Sequence, residues 1–195
     1  MRITGGHYKG RKLICPSGVI RPAMDRMRES LFAILGDIRG SSFLDLYSGS
    51  GSVGIEAASR GAEPVVFVEK DRGKRAVLER NLSFVREYTE LYMLPVEHFL
   101  RRGKRSFDLI FADPPFRQRG KPEVLNLIAD REILAGGGTL IIHLSKEEEK
   151  GFPTSLGTEL ARAHKSDGSA ESGGSQLHLA DRRLYGGSLL LFYGH

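Results

Sequence analysis

The sequence predicts an α/β fold in which short parallel strands alternate with helices and a terminal antiparallel hairpin closes the chain. Three observations carry this expectation. Between residues 43 and 144, short apolar runs alternate with helical segments, the pattern of stacked β-α-β units with helices on both faces of a sheet. A glycine-rich turn, Gly49 to Gly54, lies between the first such run and the first such helix. Near the end, Leu177 to Leu184 and Ser188 to Tyr193 are strand-like runs joined at Gly186 and Gly187, which reads as a hairpin.

Each element follows in order. Residues 1–20 hold short Lys- and Arg-rich runs punctuated by Gly5, Gly6, Gly10 and Gly18, and are expected to form a basic, partly exposed, hairpin-like extension. Residues 21–195 are then expected to form a single globular domain. Pro22 suits a helix start, and Met24, Met27, Leu31, Phe32, Ile34 and Leu35 recur at three- and four-residue spacing as a core-facing stripe. Gly36 and Gly40 bracket a loop. Strands are expected at Phe43 to Tyr47, Val65 to Glu69, Leu91 to Val96, Phe107 to Ala112 and Thr139 to Leu144, with helices near Val53 to Arg60, Arg72 to Tyr88, Glu97 to Arg102 and Glu123 to Leu134. Residues 165–176, KSDGSAESGGSQ, are poor in apolar side chains and read as a flexible loop.

Composition narrows the function classes. At 195 residues and 40% hydrophobic content the chain can bury one core. The net charge is +5, and the first forty residues account for all of it, with eight Lys and Arg against three Asp and Glu. Further basic clusters at Arg101 to Arg105 and Arg117 to Lys121 suit a polyanionic partner. The single cysteine, Cys15, excludes an intramolecular disulfide framework and a Cys-rich zinc site, and fits a reducing cytoplasm. The six histidines show no ligand spacing, so no metal is expected. No apolar stretch approaches the roughly twenty residues that span a bilayer, and the N-terminus lacks the apolar core of a signal peptide. The sequon at Asn81 is read as chance.

The motif LDLYSGSGSVG, Leu44 to Gly54, needs Gly49 and Gly51 for a turn that a Cβ would obstruct, and Gly54 for close helix packing on the sheet. Fifteen residues later Glu69 ends the second strand, where a carboxylate can accept hydrogen bonds from ribose hydroxyls. A nucleoside cofactor is implied. Residues 49–54 also match the dinucleotide fingerprint, so NAD is an alternative at this point. Asp45, inside the strand before the glycines, suits a cationic ligand better than a pyrophosphate. The segment DLIFADPPF, Asp108 to Phe116, tilts the reading further. Two prolines stiffen Asp113-Pro114-Pro115-Phe116 into an arm rich in acceptors. Asp113 and the Pro114 carbonyl can each take one hydrogen of an amine, and Phe116 can stack on a base drawn from its helix.

These segments together resemble the class I methyltransferases. RPAMDRMRESLFAIL at Arg21 to Leu35, the basic ITGGHYKGRKL before it and RRLYGGSLLLFY near the end are similar to the bacterial 16S ribosomal RNA guanine-N2 methyltransferase family. The resemblance implies a Rossmann-like, seven-stranded, mostly parallel sheet with a reversed last strand, and S-adenosylmethionine as methyl donor. It implies cofactor contacts from Asp45, Ser48, Gly49, Gly51 and Glu69, amine positioning by Asp113, Pro114 and Pro115, and stacking by Phe116. Similar enzymes often place an Asp after the third strand for the adenine amine. Here Pro95 stands there, leaving Val96 and Glu97 as the candidates. His143 stands where the family tends to have an acidic residue.

The implied partner is ribosomal RNA or a small-subunit assembly particle, with Lys9, Arg11, Lys12 and Arg21 as candidate RNA contacts and the protein acting as a monomer. Three other readings are set against this one, and the first, a non-catalytic RNA-binding module, would have no use for both Glu69 and Asp113. An adenine-N6 methyltransferase would use the same arm on another base, usually with a separate recognition domain. An NAD oxidoreductase should offer a catalytic Tyr-Lys, His or Cys arrangement, which is not seen.

Overall fold

The computed structural model describes residues 1–15, 22–157 and 176–195, so Arg21 and most of the Ser- and Gly-rich stretch expected at 165–176 lie outside the described residues. The chain comprises two compact units, Met1–Pro95 and Val96–His195.

In the first unit, α1 (Pro22–Leu35) precedes β1 (Phe43–Leu46), α2 (Ser52–Ser59), β2 (Val65–Val68), α3 (Arg75–Leu82) and β3 (Thr89–Tyr92). The strands are parallel, with β2 between β1 and β3. Every residue of β1 and β2 is buried, which explains why they read as continuous apolar runs rather than alternating ones. Met27, Leu31 and Phe32 of α1 join the core, whereas Ile34, expected there, is 40% exposed.

Two boundaries differ from expectation. The third strand falls earlier, at Thr89–Tyr92, because its register against β2 pairs Val65 with Thr89 and Val68 with Tyr92. Helix α3 ends at Leu82 rather than near Tyr88. The Ser83 hydroxyl donates back to the Arg80 carbonyl at 2.8 Å, a bond that competes with helix continuation. Beyond it, the Arg86 N–H donates to the Tyr8 hydroxyl at 2.9 Å, and that hydroxyl donates to Glu87 at 2.6 Å. The residues after Ser83 thus anchor the N-terminal segment.

That segment forms a hairpin-like turn with an antiparallel bridge between Arg2 and Lys12. Its apolar residues Ile3 and Leu13 are buried, while Lys9, Arg11 and Lys12 are exposed. A buried ionic network anchors it to the helices. Glu56 of α2, fully buried, accepts from the Thr4 N–H at 3.0 Å, from Arg28 Nε at 2.9 Å and from Arg60 at 2.9 Å. Arg28 is 1% exposed and belongs to this network.

In the second unit, α4 (Val96–Arg102) is followed by β4 (Phe107–Ala112), α5 (Lys121–Asp130), β5 (Leu134–Ser145), β6 (Ser155–Leu156), β7 (Leu177–Tyr185) and β8 (Ser188–Gly194). Strand β5 runs parallel to β4 and antiparallel to β8, and β8 pairs antiparallel with β7 to make the expected hairpin. The last strand is therefore reversed, as expected. Eight strands occur among the described residues rather than seven; the addition is β6, which pairs with the start of β7 and is too short to show a period.

Strand β5 begins at Leu134, not Thr139. Its register with β4 slips between Phe107 and Leu109, where β5 takes up the glycines at 136–138, residues that do not read as strand. Val96, expected at a strand end, instead opens α4. No described helix is long and apolar enough to cross a membrane.

Candidate functional site

The first unit carries the glycine loop. Asp45 sits in a fully buried strand, where a carboxylate is costly unless it is hydrogen-bonded. Its Oδ2 accepts the Gly54 N–H at 3.0 Å, satisfying one of the first-turn amides of α2 that no helix carbonyl reaches. Ser48 joins the ends of β1 and β2: its hydroxyl donates to the Asp45 carbonyl at 2.7 Å and accepts the Val68 N–H at 3.0 Å. Both side chains, expected as direct cofactor contacts, are thus engaged in shaping the loop.

Gly49 and Gly51 adopt φ of +58° and +77°, the left-handed region that glycine enters without penalty. A Cβ built on Gly49 would meet nothing nearer than the Tyr47 carbonyl at 3.9 Å, so the loop faces open space there. On Gly51 it would lie 3.0 Å from Leu78, and on Gly54 only 2.3 Å from the Phe67 ring. Tyr47 also adopts a positive φ, +61°, a conformation costing about 1–2 kcal/mol for a residue with a Cβ and concentrated at binding loops.

Glu69 is 4% exposed. Its Oε2 accepts the Gly49 N–H at 2.9 Å and faces Lys74 Nζ at 3.3 Å, and its Oε1 accepts the Asp71 N–H at 2.9 Å. A carboxylate has about four acceptor positions, so about one remains rather than the pair expected for a ribose.

Sequence reasoning missed Asn81, whose sequon reads only as chance. It is buried; its amide donates to the Ser50 carbonyl at 2.9 Å and exchanges hydrogen bonds with the Ile14 backbone, fixing the far side of the glycine loop. No composition signal distinguishes such an Asn from a surface one.

The second unit carries the proline arm. The β4–β5 register pairs Ala112 with Ile142, so the next residues, Asp113 and His143, come side by side where the arm leaves the sheet. Asp113 Oδ1 lies 2.8 Å from His143 Nδ1, with the carboxylate 33% and the imidazole 2% exposed. Pro114 is buried and Pro115 exposed, and the Pro115 carbonyl accepts the Gln118 N–H at 2.8 Å, turning the chain. Phe116 is 39% exposed and meets the His143 ring edge-on at 5.5 Å.

Lys121, read from the sequence as part of a basic cluster for a polyanion, is 3% exposed. Its ammonium donates to the Phe116 carbonyl at 3.0 Å and pairs with Glu148. Burial pushes the Glu148 carboxyl up, but the bonds from Lys121 and from the Ser145 backbone and hydroxyl outweigh it and hold the group below its ordinary value. Lys121 therefore braces the arm.

Val96 is 2% exposed and serves packing, and Glu97 is half-buried in the first turn of α4. The Arg11 guanidinium lies 3.9 Å from the centre of the Phe84 ring, a cation–π contact that holds an otherwise exposed side chain in place. Among the described residues no group of His, Cys, Asp or Glu could hold a metal ion.

The family model described as conserved hypothetical protein 95 matches residues 1–193. Ribosomal RNA small subunit methyltransferase D of Escherichia coli strain K12 is 36% identical over 157 residues, 79% of this chain and 78% of the relative. The chain belongs to the ribosomal RNA small subunit methyltransferase D family. The protein of the same name from Haemophilus influenzae is 32% identical over 155 residues, 76% of this chain and 80% of that one.

Solved structures agree. The yhhF protein of Escherichia coli, provisionally assigned as a methyltransferase, superposes with a TM-score of 0.80 at 28% identity, covering 99% of this chain and 96% of that one. A hypothetical protein of Thermus thermophilus does so with a TM-score of 0.76 at 28% identity, covering 100% and 99%. The fold is the Rossmann-like one of class I methyltransferases.

Proposed function

We propose that this protein transfers a methyl group from S-adenosylmethionine to the exocyclic N2 amine of a guanine in small-subunit ribosomal RNA. The observation that carries the reading is the arm: a half-exposed Asp113 carboxylate fixed by buried His143, followed by the exposed ring of Phe116. Family membership turns the glycine loop toward methyl donation rather than NAD chemistry.

The residues present fit S-adenosylmethionine. Gly49 leaves space that a side chain would fill, and Glu69 keeps an acceptor for a ribose hydroxyl. Gly49, Gly51 and Glu69 would hold it directly, Asp45 and Ser48 through the loop they shape, and Glu97 beside Val96 would serve the adenine side. When bound, it supplies a methyl group on a positively charged sulfonium. The chain's own residues do the rest by alignment. Asp113 and the Pro114 carbonyl accept the two amine hydrogens, Pro115 keeps the arm stiff, and Phe116 stacks on the extruded base. As the nitrogen takes on the methyl group it becomes more positive, and fixed acceptors favour that state over the flat, conjugated amine. The proton then leaves to Asp113 or to water, and no covalent enzyme intermediate is needed.

Guanine N2 is the base that the sequence resemblance implies. Lys9, Arg11, Lys12 and Arg21 would dock ribosomal RNA or a small-subunit assembly particle, with the protein acting as a cytoplasmic monomer. The test uses purified protein, methyl-labelled S-adenosylmethionine, and either naked RNA or small subunits from cells lacking the enzyme. Nucleosides are then resolved by mass spectrometry. The reading expects label in N2-methylguanosine. Label in N6-methyladenosine would move the assignment to the other base, and no incorporation into either substrate would overturn it.

A further inference from the structure

The parallel register of β4 and β5 places His143 beside Asp113, and the imidazole has two different ends there. Nδ1 lies 2.8 Å from Asp113 Oδ1, while Nε2 is buried without a hydrogen-bond partner among the described residues. An ionised carboxylate only accepts, so Nδ1 carries the hydrogen in this contact. Two forms of the ring satisfy that requirement. In the imidazolium, Nε2 would present a second N–H where the described residues offer no acceptor, and burying such a donor on a cationic ring is expensive. In the neutral ring with hydrogen on Nδ1, Nε2 leaves only an unused lone pair. The bonding capacity around the ring therefore selects the neutral Nδ1–H form.

We infer that His143 is a positioning residue for methyl transfer, its neutral Nδ1–H holding Oδ1 of Asp113 so that Oδ2 is presented to the amine of the base. The inference rests on the reading of Asp113 as the amine acceptor. His143 acts through Asp113 and does not touch the substrate. Nor does it relay the proton, because the buried Nε2 offers no exit to water. Without His143, the carboxylate at the end of β4 would rotate, and the amine would lose one of its two fixed acceptors.

Three substitutions separate this role from packing. His143→Asn keeps a donor near the Nδ1 position, His143→Gln moves its donor toward the Nε2 position, and His143→Leu fills the space without a donor. The inference expects kcat to fall about thirty- to a hundredfold in the Gln and Leu variants, with KM for RNA and S-adenosylmethionine affinity within about twofold of wild type. His143→Asn should recover to within about fivefold of wild type. Independently of turnover, nitrogen-15 NMR of histidine-labelled protein should show a neutral Nδ1–H signal that is absent from His143→Asn and altered in Asp113→Ala.

A neutral Nε2–H signal that disappears in His143→Asn overturns the inference, as does a wild-type kcat in His143→Leu or an equal deficit in the Asn and Gln variants. Failure of the Asp113 reading shows itself separately, as near-normal transfer by Asp113→Ala, and removes the role of His143 with it. Failure of this inference alone leaves Asp113→Ala inactive and the three His143 variants alike.

Discussion

Replacing Gly54 by alanine sets two effects of opposite sign against each other. Gly54 lies inside α2, where alanine is favoured over glycine by about 0.5–1 kcal/mol through backbone entropy. The added methyl, however, would lie 2.3 Å and 2.7 Å from two carbons of the Phe67 ring and 3.0 Å from Asp45 Oδ2. Phe67 is fully buried in β2 and cannot swing aside, so α2 must lift from the sheet. Overpacking of this kind costs about 1–3 kcal/mol, more where backbone has to move. The net expectation is about 1–2 kcal/mol of destabilisation, seen as a lower urea midpoint and a melting temperature reduced by roughly 2–8 °C for a chain of this size. Lifting α2 also strains the Asp45 bond to the Gly54 amide, so S-adenosylmethionine binding should weaken in the same variant. Adding Phe67→Leu supplies room, and the double-mutant cycle should show favourable coupling of about 1 kcal/mol. Gly54→Ala as stable as wild type, or no coupling with Phe67→Leu, would refute the packing argument.

Other perturbations probe the remaining parts. Gly49→Val should abolish S-adenosylmethionine binding by calorimetry, because a branched side chain is strained at φ +58° and fills the open face of the loop; undiminished affinity would remove the loop from the donor site. Changing Lys9, Arg11 and Lys12 together to alanine should weaken RNA binding and flatten its salt dependence by roughly 0.7–0.9 log units for each phosphate no longer neutralised, leaving cofactor affinity alone; an unchanged slope would make the segment a solubilising surface. Glu56→Gln should destabilise the protein by about 3 kcal/mol at neutral pH by leaving Arg28 buried with a weakened partner set. Burial pushes the Glu56 carboxyl up, but the Thr4 and Arg60 bonds and the Arg28 charge hold it below its ordinary value. Its contribution is therefore present above that ordinary value and lost as pH falls through the depressed one, so urea midpoints of wild type and variant should converge in acid.

Strands β1, β2 and β4 are legible in the sequence because buried parallel strands leave nearly unbroken apolar runs, and Phe107–Ala112 is placed to the residue, whereas β3, half-buried to exposed, carries no such run and falls earlier than expected. The glycine loop and the proline arm are legible too, because both depend on local backbone chemistry. What escapes a sequence reading depends on tertiary partners. The end of α3 is set by Ser83 and by Tyr8 far away in the chain, and β5 gains its first residues through a glycine bulge. Glu69 shows the same limit from the other side: its identity is legible, but its three occupied acceptor positions arise from Gly49, Asp71 and Lys74. Lys121 reads as a surface charge in any window of sequence, and only packing turns it inward onto Phe116.

The division of labour between loop and arm is tested most directly by Asp113→Ala assayed twice, for S-adenosylmethionine binding by calorimetry and for methyl transfer to ribosomal RNA. Affinity should stay within about twofold of wild type and transfer should fall at least about a hundredfold, since alignment of the amine is lost while the glycine loop in the other unit is untouched. Transfer within a few-fold of wild type, with binding intact, would contradict it.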